Sequence, residues 1–196
     1  MDTNVRLKEL KERQREARKE IIIAAAERVF ARKPFDQVSI RDVAKEAGIS
    51  HALIYRYFSD QQALFVEAFL RSAGDLLGLI DKAVGKGIES VAETYLQFLI
   101  DHDQLFRMMT HFMLDGTLEG DLLQRLNAME RTLLDCLARF FGKKHQKKES
   151  RFMAHAFFAA MNGVLISFRN YPGREREQVV SHMLRLGKII AKKFKA

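Results

Sequence analysis

The chain has 196 residues, a net charge of +8 at pH 7, 47% hydrophobic residues and a single cysteine, Cys136. One cysteine excludes an internal disulfide and a zinc site built from several cysteines. No apolar run reaches the length needed to span a bilayer, and the first residues are charged, so we expect a cytoplasmic protein without a secretory signal.

Helical periodicity dominates the chain from its start. The first helix is predicted over 5–33, with a charged first half and an apolar face in its second half, and Pro34 ends it. Ser39 is a favourable N-cap for a second helix, and Gly48 is its predicted end. Ser50 then caps a short third helix.

A fourth helix follows Asp60, its predicted N-cap, and runs to about Val84. The five remaining predicted helices span, in chain order, 88–100, 103–114, 119–141, 150–170 and 175–194. The fold class is therefore all-α, with about nine helices. We expect an N-terminal three-helix helix-turn-helix domain at 1–60 and a larger C-terminal helical bundle at 61–196.

The segment VSIRDVAKEAGISHALIYRYFSD, from Val38 to Asp60, has the pattern of a helix-turn-helix. Helical spacing places four side chains on one face of the third helix: His51, Ala52, Tyr55 and Arg56. Because a major groove admits one α-helix, this face would reach base edges and phosphates. The alternative is a plain helix–helix corner whose aromatic residues only fill a core.

The order of residues in this segment strongly resembles the N-terminal module of TetR-family transcriptional regulators. The resemblance rests on Ser39, Val43-Ala44, Ala47-Gly48-Ile49-Ser50, Ile54-Tyr55 and Tyr57-Phe58. It covers about residues 21–69, because IIIAAAERVFARKPFDQVS is similar to the first helix of the family. The resemblance implies a sequence-specific DNA-binding repressor that binds a pseudo-palindromic operator as a homodimer.

The resemblance also implies roles for single residues. Three side chains are expected to contact phosphates: Ser39, Tyr55 and Tyr57. Four others are expected near base edges: Arg41, His51, Ala52 and Leu53. Arg56 adds positive charge, the helix N-terminus at Ser50 offers backbone N–H groups to phosphate, and Gln61 completes the predicted set. Ala52 and Gln61 stand where the family usually has glycine and a phosphate-binding lysine. Gln61 therefore predicts either a weaker, neutral clamp or compensation by the basic N-terminal arm.

The segment RLKELKERQREARKE, which precedes the apolar half of the first helix, is rich in Lys and Arg. Two interpretations stay open. It is either a solvated helical extension stabilised by ion pairs four residues apart, or an arm that follows the DNA backbone or minor groove. A second basic run, KKHQKK at 143–148, has no assigned role.

The resemblance implies dimerisation through the last two long helices, and both carry stripes that suit close packing. Small residues dominate the stripe of the eighth helix, and apolar residues dominate that of the ninth. The predicted dimer interface consists of Ala156, Ala159, Ala160, Gly163, Met183, Leu186 and Ile190. The alternative is that both stripes belong to the core of a single chain.

Flexible, bulky Met and Phe residues are concentrated in the C-terminal helices. They predict a pocket for a small apolar or amphipathic effector, lined by Met108, Met109, Phe112, Met113, Phe157, Phe158, Met161 and Phe168. The alternative is that these residues only fill a core. His102, His111 and Asp115 raise the further alternative of a metal or a polar ligand head, but we predict no metal and no cofactor.

An enzyme is the main rival of a different class. The chain has no Gly-rich phosphate loop, no H-E-x-x-H signature and no nucleophile motif, so we predict that it is not an enzyme. The second rival is a helical adaptor that binds a protein instead of DNA. The sequence favours a cytoplasmic, homodimeric repressor of double-stranded operator DNA that responds to a small hydrophobic effector.

Overall fold

A computed structural model describes residues 3–33, 37–115, 119–142 and 147–194. Within these ranges there are nine α-helices and no β-strand: α1 Thr3–Arg32, α2 Ile40–Ala47, α3 His51–Ile54, α4 Gln61–Val84, α5 Ile88–Asp101, α6 Asp103–Asp115, α7 Gly120–Phe141, α8 Lys147–Phe168 and α9 Arg176–Lys193. The predicted all-α class is confirmed. Pro34, the predicted end of α1, lies outside the described residues, as do the first four residues of the KKHQKK run.

The chain divides into two compact units. The first comprises Met1–Arg71 and Arg107–Thr117, and the second comprises Ser72–Phe106 and Leu118–Ala196. α4 and α6 therefore each contribute residues to both units. This division by packing differs from the predicted division by function after residue 60, and the functional division stays a prediction.

Aromatic side chains from three helices meet in the core of the first unit. The ring of Phe65 in α4 lies 4.8 Å from that of Phe30 in α1 and 5.0 Å from that of Phe112 in α6. Met108 of α6 is buried in the same cluster. The end of α6 thus supplies part of the core on which α2 and α3 rest, and burial of these side chains stabilises the unit.

The second unit contains α5, α7, α8 and α9 together with parts of α4 and α6. In it α8 packs against α5, α7 and α9, and α5 packs against α9. A buried polar pair joins two of them, because the hydroxyl of Tyr95 in α5 donates a hydrogen bond of 2.7 Å to the side-chain oxygen of Asn162 in α8. Burial raises the pKa of the Tyr95 phenol, so the hydroxyl stays protonated and remains a donor. α9 comes close to α5 at Gly187, where a Cβ would overlap Leu96.

Arg169, which directly follows α8, joins α5 and α6 within the second unit. Its guanidinium donates a 3.0 Å hydrogen bond to the backbone carbonyl of Leu99 and pairs with Asp103. The same group lies 4.6 Å from the ring centroid of Phe106. These partners satisfy a charged group that is mostly buried, so loss of any one of them would be costly.

α8 is long and apolar enough, by length and composition alone, to cross a bilayer. It is an exception to the expectation that no apolar run reaches that length. A core helix of a soluble protein meets the same criterion, and α8 buries Ala154, Phe157 and Met161 inside the second unit. We therefore interpret α8 as a core helix.

Candidate nucleic-acid interface

The start of α2 is fixed by a reciprocal capping box. The backbone N–H of Asp42 donates to the Ser39 hydroxyl at 3.2 Å, and the backbone N–H of Ser39 donates to the Asp42 carboxylate at 2.9 Å. Each residue therefore satisfies a backbone donor that the first helical turn leaves free. The predicted N-cap at Ser39 is confirmed.

A tight turn connects α2 to α3. Gly48 ends α2 with φ +68°, in the left-handed region that favours glycine. The chain then turns into Ser50, whose hydroxyl accepts a 3.3 Å hydrogen bond from the backbone N–H of Leu53. The predicted cap residues at both sides of the turn are thus confirmed, and the turn sets the direction of the short helix α3.

α3 is held from its inner side and leaves its outer side exposed. Ile54 is fully buried and Phe58 is nearly so, both in the core of the first unit. Tyr55 is 53% exposed. His51, Ala52 and Arg56 are also exposed, whereas Leu53 and Tyr57 are half-buried. The four predicted outward residues are therefore all exposed, but α3 is shorter than predicted, because Tyr55 and Arg56 follow its last residue.

Acidic residues of α2 neutralise the cations at the end of α1. The Arg28 guanidinium donates to Glu46 at 2.6 Å, and Arg32 donates to the same carboxylate at 3.0 Å. The hydrogen bond from Arg28 is the main cause of a lowered Glu46 pKa. Lys33 donates to Asp42 at 2.9 Å, and this bond, followed by those from Ser39, lowers the pKa of Asp42 from 3.8 to about 2.

Three cations near α3 are not engaged in this way. Arg41, Lys45 and Arg56 are exposed and form no ion pair with another described residue. Arg41 and Lys45 lie four residues apart and so share one face of α2. Sequence reasoning selected Arg41 and Arg56 but missed Lys45, although its spacing from Arg41 was the available signal. Together these cations favour a polyanionic partner on this side of the unit.

Gln61, at the start of α4, has a structural partner. Its side-chain amide donates a 2.8 Å hydrogen bond to the backbone carbonyl of Val38, the residue before the α2 cap. The bond joins the beginnings of two helices that are far apart in the chain. One of the two amide N–H groups forms this bond.

Comparisons with known proteins agree with this geometry. Residues 22–68 match the family model described as bacterial regulatory proteins, tetR family. An uncharacterized HTH-type transcriptional regulator of Haemophilus influenzae is 26% identical over 192 residues, covering 89% of this chain and 88% of that protein. Over residues 22–68 the chain is therefore similar to the tetR family of bacterial regulatory proteins. The comparisons support a DNA-binding transcriptional regulator and not an enzyme.

Solved structures show the same fold. A transcriptional regulator from Rhodococcus sp. Rha1 has a TM-score of 0.72 at 18% identity, covering 89% of this chain and 96% of that one. The regulator FadR from Bacillus subtilis, in complex with stearoyl-CoA, has a TM-score of 0.66 at 18% identity, covering 86% and 96%. At this identity the likeness establishes the TetR-family fold alone.

The residues predicted for the dimer interface differ in how exposed they are within one chain. Ala156, Ala159 and Gly163 of α8 are exposed, and Ala160, Leu186 and Ile190 are half-buried. Met183 is only 1% exposed, in the core of the second unit, so its side chain is covered within one chain and the prediction for it needs correction. The exposed face of α8 also carries Phe152 and Ile166, which are 65% and 64% exposed. Sequence reasoning did not select Ile166.

The residues predicted for an effector pocket are shared between the two units. Met108, Met109, Phe112 and Met113 belong to the first unit, whereas Phe157, Phe158, Met161 and Phe168 belong to the second. Met108, Phe157 and Met161 are almost fully buried and pack in the core of their own unit. The burial of these three residues agrees with the alternative stated above, that they only fill a core. The structure does not bring the eight residues together within either unit.

Two of the recesses on the surface of the second unit bear on the effector prediction. Phe168 lines one of about 290 Å³ together with Tyr171, Arg174, Gln178, Val179 and His182. An open groove of about 970 Å³ lies between the end of α7 and the start of α8. Its walls combine apolar groups, such as Phe152 and Ala138, with the cationic side chains of Lys147, Lys148 and Arg151.

Proposed function

We propose that the chain is a homodimeric repressor that binds a pseudo-palindromic operator and is controlled by a small apolar or amphipathic effector. The observation that carries the proposal is the division of α3 into a buried and an exposed side. Ile54 is fully buried, whereas His51 and Ala52 of this helix, and Tyr55 and Arg56 directly after it, are exposed. Such a helix is fixed by its core contacts and free to enter a major groove.

Base reading is assigned to the outer face of α3. The imidazole of His51 offers a hydrogen-bonding group to a base edge, and Ala52 offers a methyl group to a thymine methyl. Phosphate contacts are assigned to the hydroxyl of Tyr55 and to the ammonium of Lys45, which position the domain without reading sequence, and Arg41 is assigned to a base edge. We expect the second copy to read the other half of the operator.

Dimerisation is assigned to the exposed face of α8. Small side chains at Ala156, Ala159 and Gly163 permit close approach of a second helix, and exposed Phe152 and Ile166 provide apolar area to bury. A two-fold dimer contains two copies of α3, one for each half of a pseudo-palindromic site. A short recognition helix gains affinity in this way, because one copy alone contacts few base pairs.

The effector is assigned to an amphipathic class with an anionic head. The structural neighbour FadR from Bacillus subtilis was solved with stearoyl-CoA, which is such a molecule. The groove between α7 and α8 supports this class here, because it combines apolar walls with Lys147 and Lys148. Arg151 also lines the groove, but it is paired with Asp135 of the same lining. An effector that binds the DNA-competent and incompetent states unequally shifts the population between them.

The experiment that tests the DNA-binding part is selection from random duplex DNA by the purified chain. Enrichment of two inverted half-sites would support the dimeric reader, and enrichment of a single half-site would contradict the dimer. Without any enrichment, the assignment of α3 as a sequence reader is wrong. The same selection with His51→Ala should enrich a different sequence at the position that His51 reads.

The effector part is tested on the operator that the selection yields. Palmitoyl-CoA, CoA alone and palmitate are titrated against the protein–operator complex while fluorescence anisotropy is recorded. We expect palmitoyl-CoA to change operator affinity and the Lys147→Gln/Lys148→Gln variant to respond less. The matched control is Lys82→Gln/Lys86→Gln, which removes two exposed cations elsewhere in the second unit. If the two variants responded equally to palmitoyl-CoA, the groove would not be the effector site.

A further inference from the structure

α1 carries one continuous stripe whose character changes halfway along the helix. Positions spaced by three and four residues share this face. In the second half of the helix the stripe is apolar and buried in the core of the first unit, at Ile22, Ala25 and Val29. In the first half it consists of four exposed cations, which we call the cationic stripe: Lys8, Lys11, Arg15 and Arg18.

The charges of the first half of α1 are separated by sign. Glu9, Glu12 and Glu16 lie on another face of the helix, with the spacing that aligns residues along one side. Like charges therefore follow each other four residues apart, as in Lys11–Arg15 and Glu12–Glu16, and such pairs destabilise an isolated helix. Opposite charges also occur at these intervals, as in Lys8–Glu12 and Glu9–Arg13, so the spacing supports the helix as well as a stripe of one sign.

The cations of the stripe also form no ion pair with the described residues. Lys19 marks the place where α1 leaves the packed part of the unit, because its ammonium pairs with Glu67 of α4 at 3.4 Å. At the other end of α1, Arg28 and Arg32 are bound by Glu46. Between Lys8 and Arg18, by contrast, no cation of the stripe forms an ion pair or hydrogen bond with the described part of the chain.

We propose that the cationic stripe is a second DNA contact, which binds the phosphate backbone of the duplex outside the bases read by α3 and does so without sequence preference. The inference rests on the proposed function. From Lys8 to Arg18 the helix rises about 15 Å. Over about that length a duplex presents roughly nine phosphate charges, enough to meet all four cations. DNA is favoured over an acidic protein because α1 itself forms the core that supports α3.

The experiment compares two double variants of the full-length chain that differ only in the face they change. Lys11→Gln/Arg18→Gln removes two cations from the stripe. Arg6→Gln/Arg13→Gln removes two exposed cations with the same spacing from a different face of the same helix. Glutamine keeps helix propensity close to that of lysine and arginine, and circular dichroism confirms that each variant is folded. Affinity is measured as a function of salt on an operator duplex with long flanks and on the bare operator.

The stripe variant should lose salt dependence on the flanked duplex. Each lost phosphate contact removes about 0.9 from the slope of log K against log salt, so two contacts remove about 1.8. Between 50 and 200 mM salt the wild type should then lose about twelvefold more affinity than the stripe variant. The control variant should keep the wild-type slope. Equal slopes for all three proteins, or an equal reduction in both variants, would overturn the proposal.

Binding to a duplex of unrelated sequence distinguishes a failure of this inference from a failure of the proposed function. If the wild type binds unrelated and selected duplexes equally, sequence reading by α3 has failed, yet the stripe variant still tests the backbone contact. If the wild type selects its operator but the stripe variant has an unchanged slope on every duplex, the stripe inference alone is wrong.

Discussion

The side-chain amide of Gln61 donates a hydrogen bond to the backbone carbonyl of Val38, and this bond ties the start of α4 to the segment that enters α2. The pairing explains how a neutral residue is accommodated where the family resemblance leads one to expect a lysine. Glutamine supplies a donor to the protein itself. Its role is thus partly architectural.

We predict that Gln61→Ala lowers the free energy of unfolding by about 1 kcal/mol, because the backbone carbonyl of buried Val38 loses its side-chain donor. The measurement is urea denaturation followed by circular dichroism. Gln62→Ala is the control, since Gln62 is exposed and has the same chemistry one position later. If both variants unfold at the same urea concentration as the wild type, the bond has no energetic significance.

Tyr55→Phe should weaken DNA binding without affecting the fold. The substitution removes only a hydroxyl from a side chain that is 53% exposed. Loss of one phosphate contact is expected to reduce affinity for all sequences by a similar factor and to leave sequence preference unchanged. Fluorescence anisotropy with the selected operator and an unrelated duplex measures both effects. A loss confined to the selected operator would assign Tyr55 to base reading instead.

Asp42→Asn tests the capping box through its pH dependence. The folded-state pKa of Asp42 is lowered to about 2, below the ordinary value of 3.8. A depressed carboxylate pKa contributes stability above the ordinary pKa, and this contribution is lost as pH falls from about 4 to 2. The wild type should therefore be more stable than the variant at pH 7, and the difference should shrink between pH 4 and pH 2.

The measurement for Asp42 is urea denaturation at a series of pH values. Asp75→Asn is the matched control, because Asp75 is an exposed carboxylate with no ion pair in the described part of the chain. Its stability difference from the wild type should stay small at every pH. A difference for Asp42→Asn that persists unchanged at pH 2 would mean that the carboxylate charge is not what stabilises the box.

Gly187→Ala should destabilise the second unit. A Cβ at this position of α9 would overlap the side chain of Leu96, which is fully buried in α5 and has little room to move. Overpacking of this kind costs about 1–3 kcal/mol, more than the helix propensity gained from alanine. Thermal unfolding measures the effect against Gly78→Ala, an exposed helical glycine with open space around it. Equal melting temperatures for the two variants would contradict the close approach.

Local features of this fold were accessible from sequence because their causes lie within a few residues. The cap at Ser39, the left-handed Gly48 and the cap at Ser50 each depend on backbone donors or φ values set by near neighbours. The buried and exposed sides of α3 follow from helical spacing alone. These positions define most of the candidate interface, and they were predicted correctly as structure.

Features that depend on contacts between residues far apart in the chain could not be predicted from the sequence in this way. Periodicity shows that Met183 and Phe157 lie on apolar faces, but it does not distinguish the core of one chain from a dimer or a pocket. The assignment of part of α6 to the first unit depends on Phe112 meeting Phe65, which are far apart in sequence. The bond from Gln61 to Val38 has no sequence pattern either.

Ala159→Glu tests the proposed dimer. Ala159 is exposed on α8 in the single chain, so a glutamate there should leave the folded monomer intact. In a two-fold interface the same substitution would bring two carboxylates together in an apolar contact, and both desolvation and repulsion would oppose association. Sedimentation velocity should show a dimer for the wild type and for the control Gln62→Glu, which is exposed in the first unit, but a monomer for Ala159→Glu. A dimer in all three proteins would place the interface elsewhere, and a monomeric wild type would leave the operator to be read by single chains.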